Sequence, residues 1–241
     1  MSPVEALGLH PAADGGLDLV LAGEAVRLLP SGALLLLARS TLIVADLHLE
    51  KGSAFARRGQ LLPPLDTRET LRRLAVDSAA LAPERILFLG DAFHDREASR
   101  RMSEADRQAL EDLGRAADLV WITGNHDPEP DADLPGEAAD EVRLGDLVLR
   151  HEPLPAPAPG EIAGHLHPCA RIATPRGAVR RRCLVTDGER AILPAYGAFT
   201  GGLNVLDPAF SGLFRKSPVV AALGDSRVHA AGIRSLRPDR R

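Results

Sequence analysis

Residues 41–48, TLIVADLH, run apolar for the length of a strand and then close on an aspartate and a histidine two positions apart. Such a run reads as a buried strand, and polar groups at its C-terminal end fall where an open α/β sheet forms its crevice. The same grammar returns at RILFLGD (85–91) and at DLVWITGNHD (118–127). Helical patterns fill the intervals. Pro64 to Leu81 carries Leu65, Leu71, Leu74 and Leu81 on its apolar side, and Ser103 to Ala116 opens with Ser103 and Asp106 in a capping arrangement. Strand, helix, strand, helix, strand predicts parallel pairing with right-handed crossovers.

After Asp127 the runs shorten and turn signals multiply: Glu141–Leu144, Leu147–Arg150, Ala170–Thr174 before Pro175-Arg176-Gly177, and Val219–Leu223 before Gly224-Asp225. This half predicts a second, mostly antiparallel sheet. The expected class is α/β in the α+β sense, with one domain over residues 1–233 and a flexible basic tail over 234–241. The proline-rich stretch 153–159 reads as a stiff loop inside that domain, because histidines assigned to one site flank it. Too few residues separate Asn125 from His151 to hold a capping domain.

Composition narrows the partners. A net charge of −4 gives no electrostatic footprint for wrapping nucleic acid, so any contact with DNA is local. Aromatic residues make up 3% of the chain, which disfavours binding by stacking many bases. The N-terminus has no basic or apolar signal region, and the longest purely apolar run, Ala33 to Ala38, is too short to cross a bilayer; a cytoplasmic protein with no membrane contact is expected. Two cysteines, Cys169 and Cys183, are expected to be reduced.

The chemistry lies in the histidines. Five of the eight (48, 126, 151, 165 and 167) stand in short polar clusters beside Asp, Asn or Gly. Asp46 and His48, and again His165 and His167, are spaced to share one face of an extended segment. GNHD (124–127) adds an amide, an imidazole and a carboxylate in a tight turn, and Asp91 adds a carboxylate able to bridge two cations. Any one of these residues reads more simply as a cap or turn former. Crowded together at adjacent strand ends, they would cost several kcal/mol in desolvation and repulsion without cations to neutralise them.

The ordered series DLH, GDAFHD, GNHD, a lone His and GHLH, spanning residues 46 to 167, resembles the calcineurin-like metallophosphoesterase superfamily. That resemblance implies a four-layer αββα sandwich with two mixed sheets and no cap. It implies one metal held by Asp46, His48, Asp91 and His167, and a second held by Asp91, Asn125, His151 and His165. An oxygen and imidazole donor set suits two divalent ions, manganese foremost, with iron or zinc as alternatives. Such a pair lowers the pKa of a bridging water, which attacks phosphorus in line as hydroxide. His126 becomes the group that stabilises the transition state or protonates the leaving oxygen. His94 stands where phosphoprotein phosphatases carry Asp, and GDxFH resembles the double-strand-break-repair nuclease branch.

The flanks ADLHLEKGSAFARRGQLLPP and ILPAYGAFTGGLNVL resemble the bacterial ligase-associated DNA-damage-response endonuclease (PdeM) family. This implies a metal-dependent phosphodiesterase, a DNA endonuclease of the damage response, with an ATP-dependent DNA ligase and a helicase as repair partners. The alternative is a phosphomonoesterase or small-nucleotide hydrolase. Lys51, Arg57 and Arg58 are the candidate substrate contacts. Glu50 departs from the family's small residue and sets an acid beside the phosphate path. Arg180, Arg181 and Arg182 form a second basic cluster that reads as a solvated face, with a nucleic-acid groove as the alternative.

Overall fold

The structure, a computed structural model, describes residues 7–239 apart from 61, 62, 64, 129–132 and 176. Its first sheet takes eight strands in chain order: β1 (His10–Pro11), β2 (Leu17–Leu21), β3 (Glu24–Leu28), β4 (Leu34–Leu36), β5 (Thr41–Val44), β6 (Arg85–Leu89), β7 (Asp118–Ile122) and β8 (Glu137–Ala139). Pairing is antiparallel from β1 to β5 and parallel from β5 to β8. The parallel half is the one expected. Its middle strands are almost wholly buried because helices cover one face and the second sheet the other.

Helices α1 (Lys51–Ala56) and α2 (Asp66–Leu81) connect β5 to β6, and α3 (Ala98–Arg101) and α4 (Glu104–Ala116) connect β6 to β7. The described part of α2 starts at Asp66; Leu65 is exposed at the cap rather than on the apolar side, and Pro64 lies outside the described residues. At α4 the Ser103 hydroxyl oxygen accepts from the Asp106 backbone N–H at 3.2 Å while its proton goes to Asp106 Oδ2 at 2.6 Å. Ser103→Ala is expected to cost about 1 kcal/mol of unfolding free energy, read as a denaturation midpoint shifted at unchanged slope.

The second sheet comprises β9 (Glu141–Leu144), β10 (Leu147–Arg150), β11 (Glu161–Ala163), β12 (Cys169–Thr174), β13 (Gly177–Thr186), β14 (Ala191–Ile192), β15 (Val219–Leu223) and β16 (Val228–Gly232). The order is β16-β15-β13-β14-β11-β10-β9, with β12 paired to the outer half of β13. Only β10–β11 and β11–β14 are parallel, so the sheet is mostly antiparallel as expected.

Three apolar layers follow. Leu42, Val44, Ile86 and Phe88 meet Leu71, Leu74, Leu110 and Leu113 of the helices; Phe88 stacks on Trp121 at 3.8 Å. Leu34, Ile43, Leu87 and Leu89 meet Leu147, Ile162 and Leu184 between the sheets. The outer face of the second sheet is closed by Val205, Phe210, Leu213 and Leu236. The fourth layer is therefore thin, and among the described residues it consists of loops and 3₁₀ turns such as Pro208–Phe210 rather than α-helix.

The expected flexible tail is corrected over residues 234–239. Leu236 is buried and bridges Ile172, Arg237 N–H donates to the Arg171 carbonyl at 2.7 Å, and Asp239 pairs with Arg180. Buried apolar area and backbone hydrogen bonds outweigh the charge of RSLRPD; residues 240 and 241 lie outside the described set. Cys169 and Cys183 are both free, and Cys169 faces Arg182 across the β12–β13 ladder. Among the described residues no helix is long and apolar enough to cross a membrane.

Candidate metal centre

Strand β5 ends at Val44, so Asp46 and His48 do not converge by strand alternation as the sequence suggested. They sit at φ 52° and 46°, and Asp91, His165 and His167 sit at 46°, 67° and 44°. Left-handed backbone at non-glycine residues costs of order 1–3 kcal/mol each and survives only where the surroundings over-determine it. Here the loops after β5 and β6 run side by side: Asp46 N–H donates to Gly90 O, His48 N–H to Asp91 O and Leu49 N–H to Ala92 O. Gly90, itself at φ 73°, leaves the room that the His151 ring fills.

The side chains gather in three groups, Asp46 with His48 and His167, Asp91 with His151 and His165, and on the open side His48 with His94 and His126; within each group one ligand atom per residue lies within 4.8 Å of the others. In the first, His167 Nε2 is 3.2 Å from Asp46 Oδ1 and 3.2 Å from His48 Nε2. In the second, Asn125 Oδ1 is 2.9 Å from His151 Nε2 and 3.0 Å from His165 Nδ1. Asp91 Oδ2 faces both, 3.4 Å from His151 Nε2 and 3.8 Å from His48 Nε2. All seven sequence-predicted metal residues are thus brought together.

The donor chemistry fits divalent cations. His151 Nδ1 can only donate to the Leu89 carbonyl at 3.2 Å, which turns the Nε2 lone pair toward Asn125 Oδ1, itself an acceptor. Acceptors aimed at one another repel unless a proton or a cation stands between them. Burial lowers the His151 pKa, but its hydrogen bond to Asp91 and the charges of Asp46 and Asp91 carry it up to about 8, so the surroundings favour positive charge at this place. His48, pushed down to about 3 by burial and the charge of His167, stays neutral as a ligand must. Asp91 resists its own burial: hydrogen bonding to His151 and His126 and nearby imidazoles hold it down at about 2, ionised.

No family model matches the sequence, and no curated protein does either. Among solved structures, the chain is similar to the nuclease MPE of Pseudomonas putida, with 29% identity over 90% of this chain and 100% of that one, at a TM-score of 0.68. The chain is a metal-dependent phosphoesterase with a metallophosphoesterase-like fold. Yfce, a phosphoesterase from E. coli, aligns at 17% identity over 80% of this chain and 98% of its own, with a TM-score of 0.41, too loose a likeness to argue from.

In this phosphoesterase the open side of the centre belongs to His126 and His94. The His126 ring is 41% exposed; its Nδ1–H donates to the His94 carbonyl at 2.9 Å, which leaves Nε2 free on the solvent side, 3.9 Å from Asp91 Oδ2. Its backbone N–H donates to Asp91 Oδ1 at 2.9 Å. The His94 ring stacks on His126 at 5.6 Å, and burial lowers its pKa. Asp127, the carboxylate of GNHD, does not join any of these groups. It accepts from the Phe93 backbone N–H at 3.0 Å, and burial raises its pKa to about 7.

The three candidate substrate contacts fare differently. Lys51 is engaged: Nζ donates to the Phe199 carbonyl at 3.0 Å. Arg58 is exposed and its charge is felt at His94, whereas Arg57 is exposed at the end of α1. Glu50 turns inward, where Oε1 accepts from Thr67 Oγ1 at 3.0 Å, away from the open side. The sequence reading missed the loop 195–202 as a structural wall: Gly197 lies against Leu47 O and Gly202 against His167 O, with no room for a Cβ at either. The glycines of AYGAFTGG were the available signal.

Gly164 is equally constrained, since an added Cβ would stand 2.6 Å from Asp46 Oδ2 and 3.1 Å from Ala45 Cβ. That displaces the carboxylate held by the His165 N–H at 3.1 and 3.0 Å. Gly164→Ala is expected to weaken divalent-metal binding by about 10–100-fold in calorimetric titration, the range for disturbed outer-shell partners.

Proposed function

We propose that this phosphoesterase hydrolyses phosphodiester bonds in DNA, as an endonuclease of the damage response, with manganese as its preferred ion. The observation that carries the reading is the meeting of two donor groups at Asp91 Oδ2 beneath an open side edged by His126 and His94. The flanking sequences that resemble the ligase-associated endonucleases support DNA as substrate and a ligase and a helicase as partners. Likeness to a protein described as a nuclease supports it further.

Asp46, His48, Asp91 and His167 would hold one cation and Asp91, Asn125, His151 and His165 the other, Asp91 serving both. When bound, the ions supply Lewis acidity toward the phosphate and an acidified water for in-line attack. The protein's own groups do the rest. His126, oriented by the His94 carbonyl, presents Nε2 to the phosphate; protonated, it donates toward a phosphoryl or leaving oxygen. Asp127 fixes the Phe93 backbone and so the loop that carries Asp91 and His94. With no inserted cap among the described residues of 126–150, the cleft stays open to a polymer.

The test is a paired assay of a small diester, a monoester, and single-stranded and duplex DNA, each with manganese, zinc and magnesium. Cleavage of DNA and the diester, greatest with manganese, is the expected result. Turnover confined to the monoester, with DNA intact at stoichiometric enzyme, would overturn it.

A further inference from the structure

Behind the loop 195–202 lies a cleft of about 510 Å³ lined by Arg73, Arg180, Arg181 and Arg182 together with the turns at Pro30-Ser31 and Leu223–Asp225. The sequence alone favours a solvated face over a nucleic-acid groove for Arg180–Arg182. The structure corrects this for Arg182, which is half-buried and donates through Nη1 to the carbonyls of Ala195, Tyr196 and Gly197 at 2.7, 3.3 and 3.2 Å. Arg180 pairs with Asp239, and among the described residues Arg73, Arg181 and Arg182 have no ion-pair partner. The nearby carboxylate of Asp77 accepts from Tyr196 Oη at 2.9 Å, while Arg73 lies over the Tyr196 ring and donates through Nη2 to the Tyr196 carbonyl at 2.5 Å, its buried Nε having no hydrogen-bond partner. Burial and then the charge of Arg73 lower the Arg182 pKa, as expected of guanidinium groups crowded without a counter-anion.

The cleft and the metal centre share one wall. On one side of the loop, Arg182 holds residues 195–197 and Arg180 Nη2 donates to the Gly202 carbonyl at 2.5 Å. On the other, Gly197 and Gly202 abut Leu47, which lies between Asp46 and His48, and His167. Guanidinium forks match phosphate oxygens in shape and charge, and this cleft offers several of them with a single lining carboxylate, Asp225. We propose that it holds backbone phosphates of the nucleic-acid strand whose scissile phosphate lies at the metal centre; this rests on the nucleic-acid reading above.

The test is the affinity of labelled single-stranded and duplex oligonucleotides at increasing salt, followed by fluorescence anisotropy with divalent metal withheld. Each phosphate contact adds close to one unit to the slope of log affinity against log salt. Arg181→Ala and Arg73→Gln are each expected to reduce that slope by about 1, while Arg115→Ala, on α4, leaves it unchanged. A steep wild-type slope that neither cleft variant alters overturns the cleft and leaves the nuclease reading standing. Hydrolysis of a small diester by wild-type protein with no salt-dependent binding to either oligonucleotide overturns both. A cleft that serves only a small free anion gives the first of these results.

Discussion

Asp91→Asn is expected to abolish measurable phosphodiester turnover, a loss on the order of 10³-fold or more, and to weaken both metals together. Losing a single preorganised neutral donor in an active site already costs about 10²–10³-fold. Asp91 does more, because its Oδ2 faces both His151 Nε2 at 3.4 Å and His48 Nε2 at 3.8 Å, so one oxygen serves both donor groups. Asparagine keeps the shape and removes the charge. Four imidazoles, two amides and Asp46 would then face two divalent ions with a single carboxylate among them. Calorimetric titration should show both metal-binding events weakened in the variant. A variant that keeps two tight sites and wild-type turnover removes Asp91 from the bridging position.

His126→Ala is expected to separate chemistry from metal binding. The ring is exposed on the open side and belongs to neither principal donor group, so metal content should match wild type by elemental analysis. Turnover should fall by about 10²–10⁴-fold, the usual contribution of a positioned general acid or base. The effect should fall on kcat more than on KM if the contact strengthens in the transition state. The hydrogen bond from Nδ1–H to the His94 carbonyl gives a further discriminating variant. In His126→Gln a side-chain amide can still donate but cannot give up a proton at neutral pH. Recovery by glutamine would assign the residue to transition-state charge stabilisation, and failure to recover would assign it to proton transfer. Undiminished kcat in His126→Ala would exclude it from the mechanism.

Much of the site was legible because metal ligation constrains residue type. Asp, Asn and His recurring at the ends of apolar runs leave few other chemistries, and the resemblance to the metallophosphoesterases implied how they group. Parallel pairing of β5, β6 and β7 was equally legible, since apolar strands alternating with amphipathic helices have few alternatives. The antiparallel meander of β1 to β4 was not read, because LLLLA (34–38) has no alternation and its partners are short hairpin strands. The docked segment 234–239 was not legible for a related reason: its charges are visible in the sequence, whereas the groove that receives Leu236 is not.

DLH, GDAFHD, GNHD and GHLH by themselves determined which residues gather at the centre, because those side-chain types in company suit divalent metal and have little else to do. Only the tertiary structure decided how they converge. Asp46, His48, Asp91, His165 and His167 reach the centre through left-handed turns rather than strand alternation, a conformation that packing of the two adjoining loops imposes and local preference opposes. It also decided that Lys51 ties down a loop, that Glu50 turns away from the open side, and that arginines distant in sequence share a cleft one loop away from the metals. Those outcomes depend on long-range contacts, which no local stretch of residues encodes.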